Sequence, residues 1–305
     1  MVFPLGHQTQ AAGANHREKV VQRGLQLVIN NNIVALSHMG GHYHGEVASQ
    51  IAVQTLTGAF QREAQPALDD PFLFLQKSLT NAHHAIRDYT RDHQLKESPR
   101  TTCVACLIQD NVAYWAHCGD SRLYLIRGGQ IVAKTRDHSR VRLLLDEGLI
   151  NEAQAAIHPD RNKVYSCLGG DNLPEIEFSR KTPMEAGDVL ALCTDGVWGA
   201  VSDDLIRDKL YNTDLMVSAP ALLGLAELQG GPHGDNLSLV TARWEDSYSP
   251  ESSMSSISTQ TMPLDMVATR FGEMAKDANE KSDLTDAEIE KAIAEIRSAI
   301  QKYPK

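Results

Sequence analysis

The stretch 189-VLALCTDG-196 sets a run of five apolar residues directly against Thr-Asp-Gly. Such a run reads as a buried strand, and the Asp-Gly after it places a carboxylate at the strand end where the backbone can turn. A second cluster, 234-GDN-236, stands immediately before another strand-like run, LSLVTARW. Two more, 117-HCGDSRLYL-125 and 135-TRDHS-139, lie between them and the N-terminal third of the chain. Any one of these alone is an ordinary turn. Carboxylates repeated at strand edges, however, are how oxygen ligands hold hard cations such as Mg²⁺ or Mn²⁺.

The surrounding pattern supplies strands to carry those edges. Residues 25–29, 33–36, 101–108, 112–117, 122–127, 189–193 and 237–242 are rich in Val, Ile, Leu and Tyr and are predicted as strands. Asn30-Asn31-Asn32, Gln109-Asp110-Asn111 and Gly128-Gly129 are hairpin signals, each joining two such runs. Helical periodicity covers 46–60 and 72–92, with shorter pieces around 140–148 and 202–210. Consecutive hairpins with helices between groups of strands predict an α+β layered domain, not a parallel βαβ fold.

The bulk numbers narrow the function classes. A net charge of −10 argues against a nucleic-acid footprint and against attraction to anionic membranes. No apolar run approaches the roughly 18 residues of a membrane span, and the N-terminus lacks a signal-peptide pattern. Five cysteines, an odd number, predict free thiols in a reducing cytoplasm. The CxxC formed by Cys103 and Cys106 falls on a strand, where residues three apart face opposite sides, so both are expected to be small core residues.

Composition shifts after residue 245. Residues 246–263 are Ser/Thr-rich and poor in large apolar groups, which predicts a linker. Residues 264–305 carry two amphipathic stripes, Leu264/Val267/Phe271/Met274 and Ile289/Ile293/Ile296/Ile300, the second opened by a Thr285/Glu288 capping box. Each is too short to be stable alone in water. Both are expected to fold back onto the first domain or each other, or else to bind a partner or self-associate.

The acid-glycine clusters occur in a recognisable order: MGGHYHGEVAS (39–49), GDSR (119–122), TRDHS (135–139), HPDRN (158–162), GDVLALCTDGVW (187–198) and GDN (234–236). In this order and spacing the chain resembles the metal-dependent protein phosphatases of type 2C, the PPM family, in their compact bacterial form, over about residues 9–244. The resemblance implies a four-layer αββα sandwich with a binuclear Mn²⁺ or Mg²⁺ site at one end. It also implies metal-assisted hydrolysis of phosphoserine or phosphothreonine. Carried over residue by residue, Asp195 and Asp235 match two metal-binding aspartates, and Asp120 matches the aspartate that helps hold a third, weaker metal. His138 and Asn236 match supporting positions.

The chain departs from that pattern at its first two motifs. The family's Asp-Gly, whose aspartate bridges both metals, is here Ser37-His38. Upstream, the family's phosphate-binding arginine falls on His16 and its acidic metal ligand on Val21, with Arg17, displaced by one position, as the remaining phosphate-binding candidate. Two divalent ions about 3.5–4 Å apart need a bridging anion. Serine is a poor ligand for Mg²⁺ and valine is none. The expectation is therefore a phosphatase-like protein without a normal binuclear centre, catalytically impaired. It would act as a regulatory module toward phosphorylated protein or a kinase partner. The alternative is an active phosphatase with a reduced site, His38 joining Asp195 and Asp235, since imidazole suits Mn²⁺, Fe²⁺ or Zn²⁺.

Overall fold

The computed structural model describes residues 25–28, 33–38, 44–231 and 234–245. Residues 1–266 form one unit; residues 267–305 form a second, which lies outside the described residues together with the Ser/Thr-rich linker.

Alternation along the central strands decides the layering. On β5 (Arg122–Arg127), Leu123 and Leu125 enter one apolar cluster while Tyr124 and Ile126 enter another. On β9 (Val189–Cys193), Leu190 and Leu192 join the first cluster, and Val189, Ala191 and Cys193 the second. A strand apolar on both faces has to be covered on both sides. One cover is a second sheet: the first cluster also takes Val104, Cys106 and Ile108 from β3 (Thr102–Gln109) and Ala113 and Trp115 from β4 (Val112–Cys118). The other cover is helical. The second cluster includes Val197 of α5 (Asp195–Trp198), Ile206 and Leu210 of α6 (Asp203–Leu210), and Leu215, Ala219, Leu222 and Ala226 of α7 (Leu215–Gly230).

One antiparallel sheet has the order β10–β9–β5–β6, with β10 spanning Leu239–Arg243 and β6 Gln130–Lys134. The other runs β1–β2–β3–β4–β7, with β1 at Leu25–Val28, β2 at Ile33–His38 and β7 at Glu177–Phe178; β8 (Thr182–Pro183) also pairs with β4. Helices α1 (Gly45–Glu63) and α2 (Pro71–Asp92) pack on each other, with α1 against β2 and α2 against β4. The fold is α+β, an αββα sandwich, as expected. Asp110 and Asn111 both have positive φ, as do Gly128 and Gly129, which are the type I′ turns that match strand twist. α2 starts where Asp70 accepts from the Phe72 and Leu73 amides with Pro71 at the first helical position.

The expected strands are all present, with ends moved by one or two residues. β2 continues through His38, which places Ser37 and His38 in the sheet and not in a loop. Helix α7 was not expected. Its sequence is apolar all round and contains Pro220, so no 3.6-residue contrast announces it. The short helices α3 (Arg140–Asp146) and α4 (Glu152–Ala156) lie between β6 and β7. All five cysteines are free thiols, and Cys103 and Cys106 are buried. No described helix is long and apolar enough to cross a membrane.

Candidate functional site

The site is built where β9 ends, where the chain enters β10, and where β4 turns into β5. The first two are locked through Thr194. Its amide donates to the Ser238 carbonyl (3.1 Å), its hydroxyl donates to the Asn236 carbonyl (3.2 Å), and that hydroxyl accepts from the Ser238 amide (3.0 Å). Gly196 is required by this approach: a Cβ there would lie 2.3 Å from the Asn236 carbonyl oxygen. Asp195 and Asp235 are thereby brought side by side. Each fixes one carboxylate oxygen on the next residue's amide, Gly196 (2.9 Å) and Asn236 (2.7 Å) respectively.

The third element carries Asp120. Gly119 has φ +104°, and a Cβ there would meet the Thr102 side chain at 2.4 Å, so the turn needs glycine twice over. Trp198, at the far end of α5 from Asp195, donates its indole N–H to the Asp120 carbonyl (2.9 Å). The Arg122 guanidinium lies 3.6 Å over the Trp198 ring and forks onto Asp137, Nε to Oδ1 at 2.8 Å and Nη2 to Oδ2 at 2.7 Å. The GDSR, TRDHS and TDGVW segments are thus one clamp. Arg122, Asp137 and Trp198 were not singled out from the sequence, although each lies within a quoted motif.

Charge identifies what this end of the sandwich can do. Burial, reinforced by Asp235, raises the Asp195 carboxyl to about 7. Burial, reinforced by Asp195 and Asp137, raises Asp120 well above the usual carboxylate range. Repulsion from Asp235 acts on Asp195, and repulsion from Asp195 and Asp137 on Asp120, so acidic charge gathers at this end, although among the described residues these three aspartates do not converge within 4.8 Å as one ligand group. Asp195 and Asp235 could supply two oxygen ligands to a hard cation. A divalent cation bound there would act as a Lewis acid and would acidify its bound water.

The departed positions reach the same end through strand register. Ser37 and His38 close β2, where Ser37 pairs with Cys103 and His38 with Thr102 on β3; Cys103 in turn pairs with Cys118, which precedes Gly119-Asp120. His16, Arg17 and Val21 lie outside the described residues.

Beside the site lies a constellation of which only His138 was expected, as a supporting position. His117, His138 and Glu177 each offer a ligating atom within 4.8 Å of the others. Hydrogen-bond partners nevertheless assign it as a brace. His117 Nε2 donates to the Arg136 carbonyl (2.6 Å), and His138 Nδ1 accepts from the Gly119 amide (3.3 Å). The His138 proton is then on Nε2, 3.6 Å from a Glu177 oxygen. Burial first, then His117, holds His138 below the ordinary histidine range, so the ring is neutral. An N–H facing a carboxylate cannot also offer a lone pair to a metal. With the His138 amide donating to the Gly119 carbonyl (2.9 Å), this ring pins the turn that carries Asp120. A histidine in both HCGDSR and TRDHS was the available signal.

Comparison with known proteins agrees with this architecture. Residues 30–221 match the family model described as Protein phosphatase 2C. The serine/threonine protein phosphatase PstP of Mycobacterium tuberculosis is 35% identical over 204 residues, which is 67% of this chain and 38% of that protein. The chain therefore spans well under half of that relative's length. Protein phosphatase PhpP of Streptococcus pneumoniae is 30% identical over 216 residues, 70% of this chain and 87% of that protein. Among solved structures, that of M. tuberculosis PstP superposes with a TM-score of 0.64 at 32% identity, covering 77% of this chain and 94% of that one. A PstP catalytic-domain structure in complex with two manganese ions gives 0.60 at 31% identity, covering 72% and 94%. Fold, motif order and sequence likeness agree, and the chain belongs to the protein phosphatase 2C family.

Proposed function

We propose that this chain is a type 2C phosphatase-like protein with an incomplete two-metal centre, acting as a regulatory or binding module toward phosphorylated protein or a kinase partner. The observation that carries the reading is the residue at the end of β2. Strand register brings position 37 to the level of the Gly119-Asp120 turn, and the residue there is serine, where the family pattern has a bridging aspartate. Without that bridge the repulsion between two cations is uncompensated. Val21 removes a second acid. Losing a supporting partner alone costs about 10–100-fold in metal affinity or activity, and losing two ligands costs more.

The retained trio Asp120, Asp195 and Asp235 favours one second reading: an active phosphoserine/phosphothreonine phosphatase working through a reduced site that includes His38. Both are tested on the full chain by titrating Mn²⁺ calorimetrically and assaying p-nitrophenyl phosphate. The first reading expects weak binding of at most one ion and negligible turnover, with both rising when Ser37→Asp, His38→Gly and Val21→Asp are installed together. Turnover comparable to ordinary type 2C phosphatases, abolished by Asp195→Asn or Asp235→Asn and impaired by His38→Ala, would overturn it in favour of the second.

A further inference from the structure

Helix α7 covers the β10–β9–β5–β6 sheet, yet its outer face is as apolar as its inner one. At about 100° per residue, Val217, Ala221, Gly224 and Leu228 fall within about 60° of arc. All four are exposed, Val217 at 68% and Leu228 at 78%. The inward residues Leu215, Ala219, Leu222 and Ala226 lie on the opposite side, in the core. Glu227 is the one ionisable residue of the sixteen, and it sits at the rim of the outer face. A helix apolar all round is ordinarily buried all round. Among the described residues nothing covers this side.

Gly224 sharpens the point. It lies inside the helix, where glycine is a poor choice, and a Cβ there would meet nothing within 4 Å. Packing within the described protein therefore gives no reason for it. Absence of a side chain at an exposed helix position leaves room for close approach by another backbone.

The order of sizes along the face says which backbone. Val217, Ala221, Gly224 and Leu228 read large, small, small, large, at spacings of four, three and four. Reversed, the spacing and the size order are unchanged. A two-fold axis between residues 222 and 223 sets Val217 against Leu228 of a second copy and Ala221 against its Gly224. A self-complementary patch of this kind is what an isologous contact requires. The small pair allows the helices to cross closely, and antiparallel packing also opposes their dipoles.

We propose that the outer face of α7 is a homodimer interface in which two copies pack α7 antiparallel across Ala221 and Gly224. One helix about 24 Å long offers well under the ~800 Å² per partner of a stable complex, so the dimer is weak, with a Kd on the order of 10–500 μM.

The test is sedimentation equilibrium of the full chain by analytical ultracentrifugation across that concentration range, joined to cysteine cross-linking. Val217→Asp and Leu228→Asp, at positions that face solvent in the monomer, should weaken association at least about tenfold and leave the melting temperature of the dilute protein unchanged. Gly224→Ala separates the interface from simple helix stability: it should raise the melting temperature of the dilute monomer through helix propensity while weakening dimerisation. Mixed Ala221→Cys and Gly224→Cys chains should cross-link to each other, whereas Val217→Cys chains, about 16 Å apart across the axis, should not. A chain monomeric throughout overturns the proposal. So does a dimer indifferent to the α7 substitutions. Dimerisation that appears only after Ile293→Asp and Ile296→Asp overturns it too, since it would assign the face to the C-terminal stripe.

Discussion

Metal-free protein carrying Asp195→Asn should be more stable than the unsubstituted chain above pH 7. Asp195 is held at about 7 in the fold, against about 3.9 in an unfolded chain. A carboxyl raised in this way binds its proton more tightly folded than unfolded. Between about pH 4 and pH 7 the native state holds the extra proton, so stability falls as pH rises through that window and is level above it. About three pKa units at 1.36 kcal/mol each set an upper bound of roughly 4 kcal/mol. The repulsion is shared with Asp235 and Asp120, and partial exposure screens it, so about 1–2 kcal/mol is expected from the substitution. Asparagine keeps an oxygen for the Gly196 amide, and no hydrogen bond need be lost. The assay is urea unfolding with chelator at several pH values. The midpoint should rise at about pH 8, and the gain should shrink through the window and vanish near pH 4. Adding Mn²⁺ should shrink the gain, because only the unsubstituted chain keeps both Asp195 and Asp235 to bind it. A gain that is equal at pH 4 and pH 8, or no gain at pH 8, would refute the electrostatic account.

Three further outcomes test the supports. Gly196→Ala should cost about 2–3 kcal/mol in urea unfolding, since the added methyl meets the Asn236 carbonyl, which belongs to backbone and cannot swing away. Trp198→Phe should cost about 1 kcal/mol by removing the indole bond to the Asp120 carbonyl, and should weaken Mn²⁺ binding about tenfold as the Asp120 turn loosens. Asp188→Ala should cost about 3–5 kcal/mol. That carboxylate is 1% exposed, accepts both arms of Arg127 (2.8 and 2.6 Å) and takes the Glu185 amide; unfolding of the far edge before the rest of the domain would show the effect is local.

The first motif, MGGHYHGEVAS, carries two histidines among its glycines. His42 lies outside the described residues, and His44 stands just before α1 with φ 54°. The informative positions are Ser37 and His38, and their importance depends on register: a shift of one residue along β3 would turn each to the other face.

The sequence by itself determined the strands, the hairpins and an α+β layered domain, because the period of apolar residues and the Asp-Asn and Gly-Gly turns are local physics; the αββα order is what the family resemblance implied. It also placed carboxylates at strand ends, where Asp-Gly follows an apolar run. It could not show α7, whose two apolar faces cancel the periodic contrast. Nor could it show that Arg122 bridges Asp137 and Trp198, or that His138 spends its lone pair on Gly119. Those pairings join residues 15 to 78 positions apart, and only the packing of two sheets brings them within hydrogen-bond reach.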